Sequence, residues 1–450
     1  MTNAEWAQRD LEVLWHPCTQ MKDHAQFPPI PIKRAKGVWL EDFDGHRYID
    51  AISSWWVNLF GHGHPAINAA LKDQVETLEH VLLAGFTHEP AVRLAERLIE
   101  KAPEGLSRCF YSDNGSSAVE VALKMSYHAW RNEGKPQKTL FITLENSYHG
   151  ETLGALAVRD VPLYRETYAP LLMRSIRVKS PDGYDREPGA SLESHAIAMF
   201  HAMEDALARH AGETAAVIVE PLVQCAGGMR MHHPVYLKLL RDACDRYGVH
   251  LIADEIAVGF GRTGTLFAME QAGVSPDFLC LSKGLTGGYL PLSATLTTSR
   301  VYDAFYDDYA SGKAFLHSHS YTGNALACRV ALASLDLFER EKVLEANRHR
   351  ARLIREAVAP LDDHPHVGEI RQQGMILAIE LTKDRPSRAP FPSSERRGYR
   401  VYQEALRRGV LLRPLGNVVY FMPPYVINGD EITQMAQAAI EGIHAATQFD

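Results

Sequence analysis

The sequence lacks the features by which nucleic-acid-binding and membrane proteins are recognised. Lysine and arginine number 47 against 55 aspartates and glutamates, which gives a net charge of −8. An acidic chain without a run of basic residues is a poor partner for nucleic acid or an anionic membrane surface. No apolar stretch approaches the roughly 20 residues that cross a bilayer. We therefore expect neither nucleic acid nor a membrane as a partner.

Cysteine is also scarce, with six in 450 residues and no two spaced as C-x-x-C. Separated cysteines in apolar segments are typical of buried thiols in a reducing compartment, and they do not fit a structural zinc site. The opening MTNAEWAQRDLEVLWHPCTQ has neither the basic nor the apolar segment of a signal peptide. These features predict a cytoplasmic protein without a bound metal.

Short apolar runs alternate with amphipathic helical segments through the middle of the chain. TLFITLE, AAVIVE, VHLIADE and DFLCLSK predict buried strands, and PVYLKLLRDACDRYG predicts a helix between two of them. Such alternation predicts an α/β fold with a mostly parallel sheet covered on both faces. Ligands bind these sheets at the carboxyl ends of the strands, where we expect the functional residues.

The pattern changes near both ends of the chain. From about residue 335 a long helical pattern precedes the strands MILAIEL and NVVYFMPP, while GVWLEDFDGHRYIDA near the start predicts a hairpin. We therefore divide the chain into three parts. They are an N-terminal segment (1–60) packing with the small domain, a large α/β domain (61–334) and a small C-terminal α+β domain (335–450).

Two charged residues end neighbouring predicted strands. Asp254 closes VHLIADE, and Lys283 follows DFLCLS one strand–helix–strand step later. Taken alone, Asp254 could cap a helix or pair with an arginine, and Lys283 could extend to solvent. Together they match the needs of pyridoxal 5'-phosphate (PLP), which uses an aspartate at its pyridinium nitrogen and a lysine that forms a Schiff base.

A phosphate site is predicted in YSDNGSSAVEVALKMSYHAWRN. Gly115 permits close approach of the backbone, and Ser116 and Ser117 precede a strongly periodic helix. Ser117 and Glu120 fit the S-x-x-E capping box. A helix N-terminus with hydroxyl groups binds anions, although an ordinary capped helix has the same pattern.

Two further segments carry candidate residues. In ENSYHGET, Tyr148 could stack on a flat ring or serve as a structural aromatic, and His149 fits a positioning role better than metal binding.

In HSHSYTGN (317–324), His317 and His319 lack further ligands at a metal-site spacing. Ser320 near Gly323 suits a phosphate contact instead.

Taken in order, these segments resemble one family over nearly the whole chain. DEIAVGFGRTG (254–264) and LSKGLTGGYLPLSATLTT are similar to the aspartate and lysine segments of class III, fold-type I PLP-dependent aminotransferases. The resemblance implies a large PLP-binding domain and a smaller one. It implies catalytic roles for Lys283, Asp254 and Tyr148. It further implies a set of cofactor contacts at Gly115, Ser116, Ser117, Tyr148, Glu220, Asp254, Ile256, Lys283, His319 and Ser320.

Other segments resemble the branch of this family that aminates 8-amino-7-oxononanoate in biotin synthesis, with S-adenosylmethionine as the usual donor. They are LWHPCTQMKD, SSWWVNLFGHGHP, THEPAVRLAERL, GVLLRPLG and VVYFMPPY. The resemblance implies that Trp55 and Trp56 wall the substrate pocket and that Arg413 holds the substrate carboxylate. It implies that Tyr148 and Lys283 also contact the substrate.

The resemblance also interprets HSHSYTGN as a loop that crosses a dimer interface. Ser320 stands where a threonine usually contacts the phosphate of the partner subunit's cofactor. The chain is accordingly expected to form a homodimer with two shared active sites.

Some positions depart from the pattern of this branch. Cys18 replaces a tyrosine that normally helps to recognise substrate, and Ser318 and His319 replace glycine and proline. Asp160 could meet the ammonium group of the donor. These positions are counted as substrate or cofactor contacts, and they leave S-adenosylmethionine and lysine open as donors.

The sequence is also compatible with other functions. A broad ω-amino acid or diamine aminotransferase stays open, as does an aminomutase, which would release no keto product. A dinucleotide-binding oxidoreductase does not fit, because no G-x-G-x-x-G follows an early strand.

Overall fold

The apolar runs of the sequence form the central sheet of the molecule. The computed structural model describes residues 1–161 and 166–448. Its strands are β1 (Ile32–Lys36), β2 (Trp39–Asp42), β3 (Arg47–Asp50), β4 (Leu106–Ser112), β5 (Leu140–Leu144), β6 (Ser175–Val178), β7 (Thr214–Val219), β8 (Val223–Gln224), β9 (Arg230–Met231), β10 (His250–Asp254), β11 (Phe278–Leu281), β12 (Ser293–Thr298), β13 (Val367–Gln373), β14 (Ile376–Asp384), β15 (Ala389–Pro390), β16 (Val410–Leu411) and β17 (Val418–Phe421).

Seven strands pair in the order β4-β12-β11-β10-β7-β5-β6. Strands β11, β10, β7, β5 and β6 pair in parallel, and β12 runs antiparallel to β11 and β4. Each residue of β5, β7, β10 and β11 is buried. Burial on both faces explains why these strands are continuous apolar runs, and the predicted mostly parallel α/β sheet is confirmed.

Helices cover the sheet and build the remaining layers. They are α1 (Asn3–Val13), α2 (Pro65–Val75), α3 (Glu89–Lys101), α4 (Gly115–Asn132), α5 (Leu153–Ala157), α6 (Leu192–His210), α7 (Val235–Tyr247), α8 (Ser299–Asp303), α9 (Ala325–Arg340), α10 (Val343–Ala357), α11 (Arg397–Arg407) and α12 (Gly429–Thr447). Among the described residues, no helix combines the length and the apolar character needed to cross a membrane.

The parallel strands end along one edge of the sheet, and five chain segments therefore meet there. The loops or helices after β4, β5, β7, β10 and β11 all leave from this edge. The carboxyl edge is where α/β sheets bind ligands, because backbone groups and side chains from several strands converge there.

The two ends of the chain pack together through a small sheet. Strands β2 and β3 form the predicted antiparallel hairpin, and β16 pairs in parallel with β3. A further sheet contains β13, β14, β15 and β17, with β17 paired to β14. The N-terminal residues are thus joined to the C-terminal part by backbone hydrogen bonds.

The long helical pattern near residue 335 is two helices. Helix α9 ends at Arg340 and α10 begins at Val343, and between them Lys342 has a φ of 46°. A left-handed residue breaks a right-handed helix, which the apolar periodicity alone did not indicate. The proposed boundary between residues 334 and 335 falls inside α9, and the division into domains stays a prediction.

Candidate active site

Asp254, the last residue of β10, is buried and held in a fixed orientation. Its Oδ2 atom lies 2.7 Å from Nδ1 of His149, and its Oδ1 atom accepts a hydrogen bond of 3.1 Å from the amide of Ile256. The imidazole of His149 is itself buried, and its Nε2 atom has no hydrogen-bond partner in the described parts of the chain. The carboxylate of Asp254 is therefore oriented by His149, which lies in the loop that follows β5.

Lys283 lies two residues beyond β11, in a backbone conformation that strains a side-chain-bearing residue. Its φ is 43°, and its Nζ atom lies 4.9 Å from the centre of the Trp56 ring. Burial lowers the pKa of Lys283, and the negative charge of Asp254 opposes that shift. A buried amine with a lowered pKa is more readily deprotonated, which a nucleophilic lysine requires.

Glu220, immediately after β7, is a second buried carboxylate in the same place. One of its oxygens accepts a hydrogen bond from the amide of Tyr148 at 3.0 Å, and the other accepts one from the amide of Cys225 at 3.0 Å. Burial, followed by the charge of Asp254, raises the pKa of Glu220 to about 8. Burial and the neighbouring carboxylate therefore favour the protonated form of Glu220, which reduces the negative charge beside Asp254.

The start of α4 forms one wall of the site. Its N-cap is Asn114, whose side chain accepts a hydrogen bond from the amide of Ser117. The predicted capping box of Ser117 and Glu120 is therefore wrong. Glu120 lies one turn inside the helix, and its carboxylate accepts hydrogen bonds from the amides of Gly154 and Ala155.

Two glycines allow this wall to pack closely. A Cβ atom on Gly115 would lie 2.9 Å from the Ile256 side chain. One on Gly150 would lie 2.0 Å from Oγ of Ser116, and the φ of Gly150 is 132°. Both positions exclude larger residues, and they leave the first amides of α4, which have no partner within a helix, open toward the site.

These elements enclose a cavity of ≈ 190 Å³ at the carboxyl edge of the sheet. Seven residues predicted to contact the cofactor line it, together with four neighbours. The predicted residues are Gly115, Ser116, Tyr148, Glu220, Asp254, Ile256 and Lys283. The structure brings them together, and their individual roles stay predictions.

The two tryptophans approach the cavity from a separate segment. Residues Ser53–Trp56 form a single turn in which all four residues have positive φ, between 46° and 75°. A left-handed conformation costs about 1–2 kcal/mol for each such residue. The turn places Trp56 against Lys283 and Trp55 against Arg413, whose guanidinium carbon lies 4.2 Å from the Trp55 ring centre.

Arg413 carries a charge that the described residues do not neutralise. It is half-buried, and no carboxylate of residues 1–161 or 166–448 lies within 4.0 Å of its guanidinium nitrogens. A half-buried arginine that stacks on an aromatic ring and lacks an acidic partner is suited to bind the carboxylate of a ligand.

The segment 317–320 does not line the cavity of its own chain. Nε2 of His319 is 2.8 Å from Oδ2 of Asp113, and Nδ1 of His317 is 3.0 Å from Nζ of Lys124. Ser318 and Ser320 are exposed, and the backbone oxygen of Ser320 is 2.8 Å from Nε2 of His80. Both serine hydroxyls are thus presented outward.

Two predicted substrate contacts lie at different distances from the cavity. The exposed Cys18 is close enough to Tyr148 that a thiolate there would contribute to raising the pKa of Tyr148, after burial and Glu151. Asp160 instead pairs with Arg177 at 3.2 Å and accepts a weak hydrogen bond from the amide of Asn146. The structure does not bring Asp160 to the cavity.

Sequence reasoning missed two arginines near the site. Arg159 is buried, with its guanidinium carbon 4.7 Å from the Tyr148 ring centre. Arg262 is 1% exposed and donates hydrogen bonds to the backbone oxygens of Asn58 and Pro423. The one sequence feature that could have indicated a role for Arg262 is its position in the glycine-rich segment GFGRTG, close after the strand that ends at Asp254.

Comparison with known proteins supplies the family. The profile of class III aminotransferases matches residues 19–443. Adenosylmethionine-8-amino-7-oxononanoate aminotransferase of Helicobacter pylori is 48% identical over 97% of this chain and 97% of its own length. The protein of the same name from Geobacter sulfurreducens is 46% identical over 99% and 98%.

Solved structures agree with this result. Adenosylmethionine-8-amino-7-oxononanoate aminotransferase from Methanocaldococcus jannaschii superposes with a TM-score of 0.92 at 37% identity, covering 98% of this chain and 99% of the other. An ω-transaminase from Pseudomonas jessenii in complex with PMP gives 0.94 at 31% identity, covering 98% of both chains. Together with the pocket, these relationships show that the chain belongs to the class III aminotransferases, a family of PLP-dependent enzymes.

Proposed function

We propose that this enzyme transfers an amino group to 8-amino-7-oxononanoate, giving 7,8-diaminononanoate in biotin synthesis. The observation that carries the proposal is the pairing of Arg413 with Trp55 beside Lys283 and Trp56. Trp56 lies beside the amine of Lys283, and the adjacent Trp55 lies against Arg413, which supports a pocket with aromatic walls and a cation for a substrate carboxylate. The relatives whose names state this reaction reach 48% identity.

The residues of the cavity fit PLP. Lys283 makes no ion pair in the described ranges, and Nε2 of His149 is buried without a partner. The start of α4, with Gly115 and Ser116, supplies amides and a hydroxyl for a phosphate group. Ile256 and Tyr148 line the space in which a flat ring would lie.

PLP supplies a covalent attachment point for amines and an electron-accepting ring. Asp254 would hold the ring nitrogen in its protonated form, and the contact with His149 fixes the direction of that carboxylate. Nζ of Lys283 would take the proton from the carbon that bears the donor nitrogen and deliver it to a carbon of the cofactor. Its lowered pKa suits both steps.

The second substrate would be oriented by its two ends. Arg413 would bind the carboxylate, and the rings of Trp55 and Trp56 would cover the apolar chain between that carboxylate and the reacting carbonyl. Since the tryptophan stacked on Arg413 is 39% exposed, the carboxylate end faces the mouth of the site and the carbonyl faces Lys283.

A broad ω-amino acid aminotransferase is the second candidate. The ω-transaminase of Pseudomonas jessenii superposes slightly better, at a TM-score of 0.94 against 0.92 for the Methanocaldococcus jannaschii protein. Both values describe the same fold, so backbone similarity does not separate the two functions. The higher sequence identity of the oxononanoate aminotransferases favours the first candidate.

The donor is proposed to be S-adenosylmethionine, as the names of the relatives state. Lysine remains the alternative because Cys18, Ser318 and His319 depart from the usual residues. Cys18 is close enough to the cavity residue Tyr148 to influence it electrostatically, which supports a position for Cys18 on the path of a donor side chain. A thiol is smaller than the usual tyrosine side chain and leaves more room there.

We further propose a cytoplasmic homodimer with shared active sites. Ser320, in the segment 317–320, is exposed and does not line the cavity of its own chain. The large apolar side chains that adjoin this segment in sequence, Leu316 (72% exposed) and Tyr321 (60%), would be covered by a second subunit. Exposed apolar residues gathered at one face are typical of an interface.

The reaction can be tested in two halves through the absorbance of the bound cofactor. 7,8-Diaminononanoate and one donor, S-adenosylmethionine or lysine, should each convert the pyridoxal form to the pyridoxamine form. β-Alanine should not. Lys283→Ala is the matched control, and it should lose turnover because no amine remains for attachment or proton transfer.

Conversion by β-alanine alone would replace the proposal with a broad ω-aminotransferase. Amino-group migration without release of a keto product would indicate an aminomutase. Substantial turnover by Lys283→Ala would contradict the assignment of that residue.

Arg413→Ala should weaken binding of the oxononanoate more than binding of the donor. Loss of a charge-assisted hydrogen bond corresponds to about 1.5–3 kcal/mol, or about 10–100-fold in KM. Single-turnover measurements of each half-reaction would test this. Arg407→Ala, on an exposed residue of α11, serves as control, and equal losses in both half-reactions would argue against a carboxylate-binding role.

The protonation of Glu220 predicts a pH dependence in the cofactor-free protein. Its folded pKa of about 8 lies above the ordinary value of 4.5, so its contribution to stability is complete below pH 4.5 and is lost as the pH rises through 8. Glu220→Gln, which resembles the protonated form, should therefore lose less stability between pH 6 and 9. For one proton the slope cannot exceed about 1.4 kcal/mol per pH unit.

Urea denaturation across this pH range would measure the difference. Some slope should remain in the variant, because the pKa of the buried Glu255 is also raised to about 8. An unchanged slope would show that Glu220 is already ionised in the folded protein.

Ser320→Ala should speed cofactor loss from the dimer by removing a hydroxyl contact to phosphate across the interface. One hydrogen bond to a charged group corresponds to about 1.5–3 kcal/mol, or about 10–100-fold in affinity. Cofactor release can be followed by absorbance after dilution, with sedimentation to confirm the assembly and Ser311→Ala as control. Equal retention in both variants would remove the phosphate role of Ser320.

A further inference from the structure

The turn Ser53–Trp56 combines an unfavourable backbone conformation with a place beside the reactive lysine. Its φ values are 51°, 46°, 75° and 73°, and the sequence supplies no glycine at any of the four positions. The amide of Trp56 donates to the oxygen of Ile52 at 2.8 Å, and that of Val57 donates to the oxygen of Ser53 at 3.0 Å. The segment is therefore a single turn of left-handed helix built from residues that disfavour it.

Such a conformation persists only when neighbouring groups hold it. Asp50, which is completely buried at the end of β3, makes two hydrogen bonds to the turn. Its Oδ1 atom accepts a hydrogen bond of 2.8 Å from the amide of Ser54, and its Oδ2 atom accepts one of 2.7 Å from the Ser54 hydroxyl. His62 lies 3.0 Å from the same Oδ2 atom and orients the carboxylate.

Two further contacts hold the first and the last residue of the turn. The Ser53 hydroxyl donates to the backbone oxygen of Met422 at 2.8 Å, and Nε1 of Trp56 donates to the Tyr420 hydroxyl at 3.0 Å. Trp56 is therefore fixed by its own hydrogen bond and by burial. Trp55, which directly follows Ser54 and is partly exposed, depends on Asp50 for its direction.

We propose that Asp50 is a positioning residue for substrate binding, acting through the left-handed turn. It holds Ser54 so that the Trp55 ring lies flat against Arg413, and together the ring and the cation form the binding place for a carboxylate on an apolar chain. The identity of that substrate rests on the proposed function, whereas the role of the turn does not. Loss of Asp50 should release Trp55 while Trp56 remains against Lys283.

The proposal predicts a selective defect. Asp50→Ala should raise KM for the carboxylate-bearing keto substrate by about tenfold or more and change kcat at saturation by less than about threefold. The donor half-reaction should be affected less, because Lys283 and Trp56 keep their places. Cofactor content and its absorbance spectrum should match those of the wild type.

Glycine provides a rescue that a simple loss of folding would not show. Glycine adopts positive φ without steric cost, so Ser54→Gly relieves the strain that Asp50 opposes. In the double variant Asp50→Ala/Ser54→Gly, KM should return to within about threefold of the wild-type value. If Asp50→Ala yields no folded protein, Ser54→Val carries the test, because a β-branched residue resists positive φ and should raise KM in the same way.

Asp42→Ala is the matched control. Asp42 is another completely buried aspartate of the same small sheet, and it holds the β2–β3 hairpin turn by accepting hydrogen bonds from the amides of Asp44 and His46. Its loss should lower stability and leave KM unchanged. An equal rise in KM in Asp42→Ala would show that general loosening of the sheet explains the defect.

A readout without substrate separates this proposal from the proposed function. Near-ultraviolet circular dichroism of the holoenzyme should change in Asp50→Ala, stay native in Asp42→Ala and recover in the glycine double variant. An unchanged spectrum, or no recovery in spectrum and KM, would overturn the role of Asp50. If the wild type does not aminate the oxononanoate at all, the proposed function fails while the spectral comparison still decides the role of the turn.

Discussion

Burial of charge at the carboxyl edge of the parallel sheet is the constraint on which the site depends. Asp254, Glu220 and Lys283 end neighbouring strands and therefore face one another in a place with little water. Each charge there requires a neighbour that stabilises it. The structure places His149 against the carboxylate of Asp254 and two backbone amides against that of Glu220. The amides oppose the rise in the pKa of Glu220, but burial and the charge of Asp254 outweigh them and favour its acid form.

The sequence was informative where the structure follows from periodicity and from residues at strand ends. Buried strands are continuous apolar runs, so the ends of VHLIADE and DFLCLSK identified Asp254 and Lys283 and the edge on which they meet. The cap of α4 was misassigned because Asn114 and Ser117 both suit an N-cap, and only the tertiary pairing of Glu120 with the following segment decides between them. A local pattern does not contain that information.

The left-handed turn and the contacts of Arg262 could not be predicted for a related reason. Serine and tryptophan carry no preference for positive φ, so nothing in SSWW signals the conformation that the structure shows. It arises from groups far away in sequence, since Arg262 joins the backbone of Asn58 to that of Pro423 and Ser53 bonds to Met422. These contacts exist only after the chain ends and the central sheet have packed together.

The placement of this strain bears on how one fold serves different substrates. The candidate catalytic residues Asp254 and Lys283 lie at the edge of the sheet, and the chain superposes almost equally well on an oxononanoate aminotransferase and on an ω-transaminase. Substrate choice must then reside in elements that can change without disturbing Asp254 or Lys283. The turn Ser53–Trp56 is such an element. It is held by Asp50, Tyr420 and Met422, which lie outside the seven-stranded sheet, and its Trp56 ring lies 4.9 Å from Nζ of Lys283. Hydrogen bonds hold the turn in a conformation that glycine would adopt without strain, and in that conformation the Trp55 ring lies against Arg413. If Arg413 binds a carboxylate as proposed, the fixed turn would set where on the substrate that carboxylate must lie.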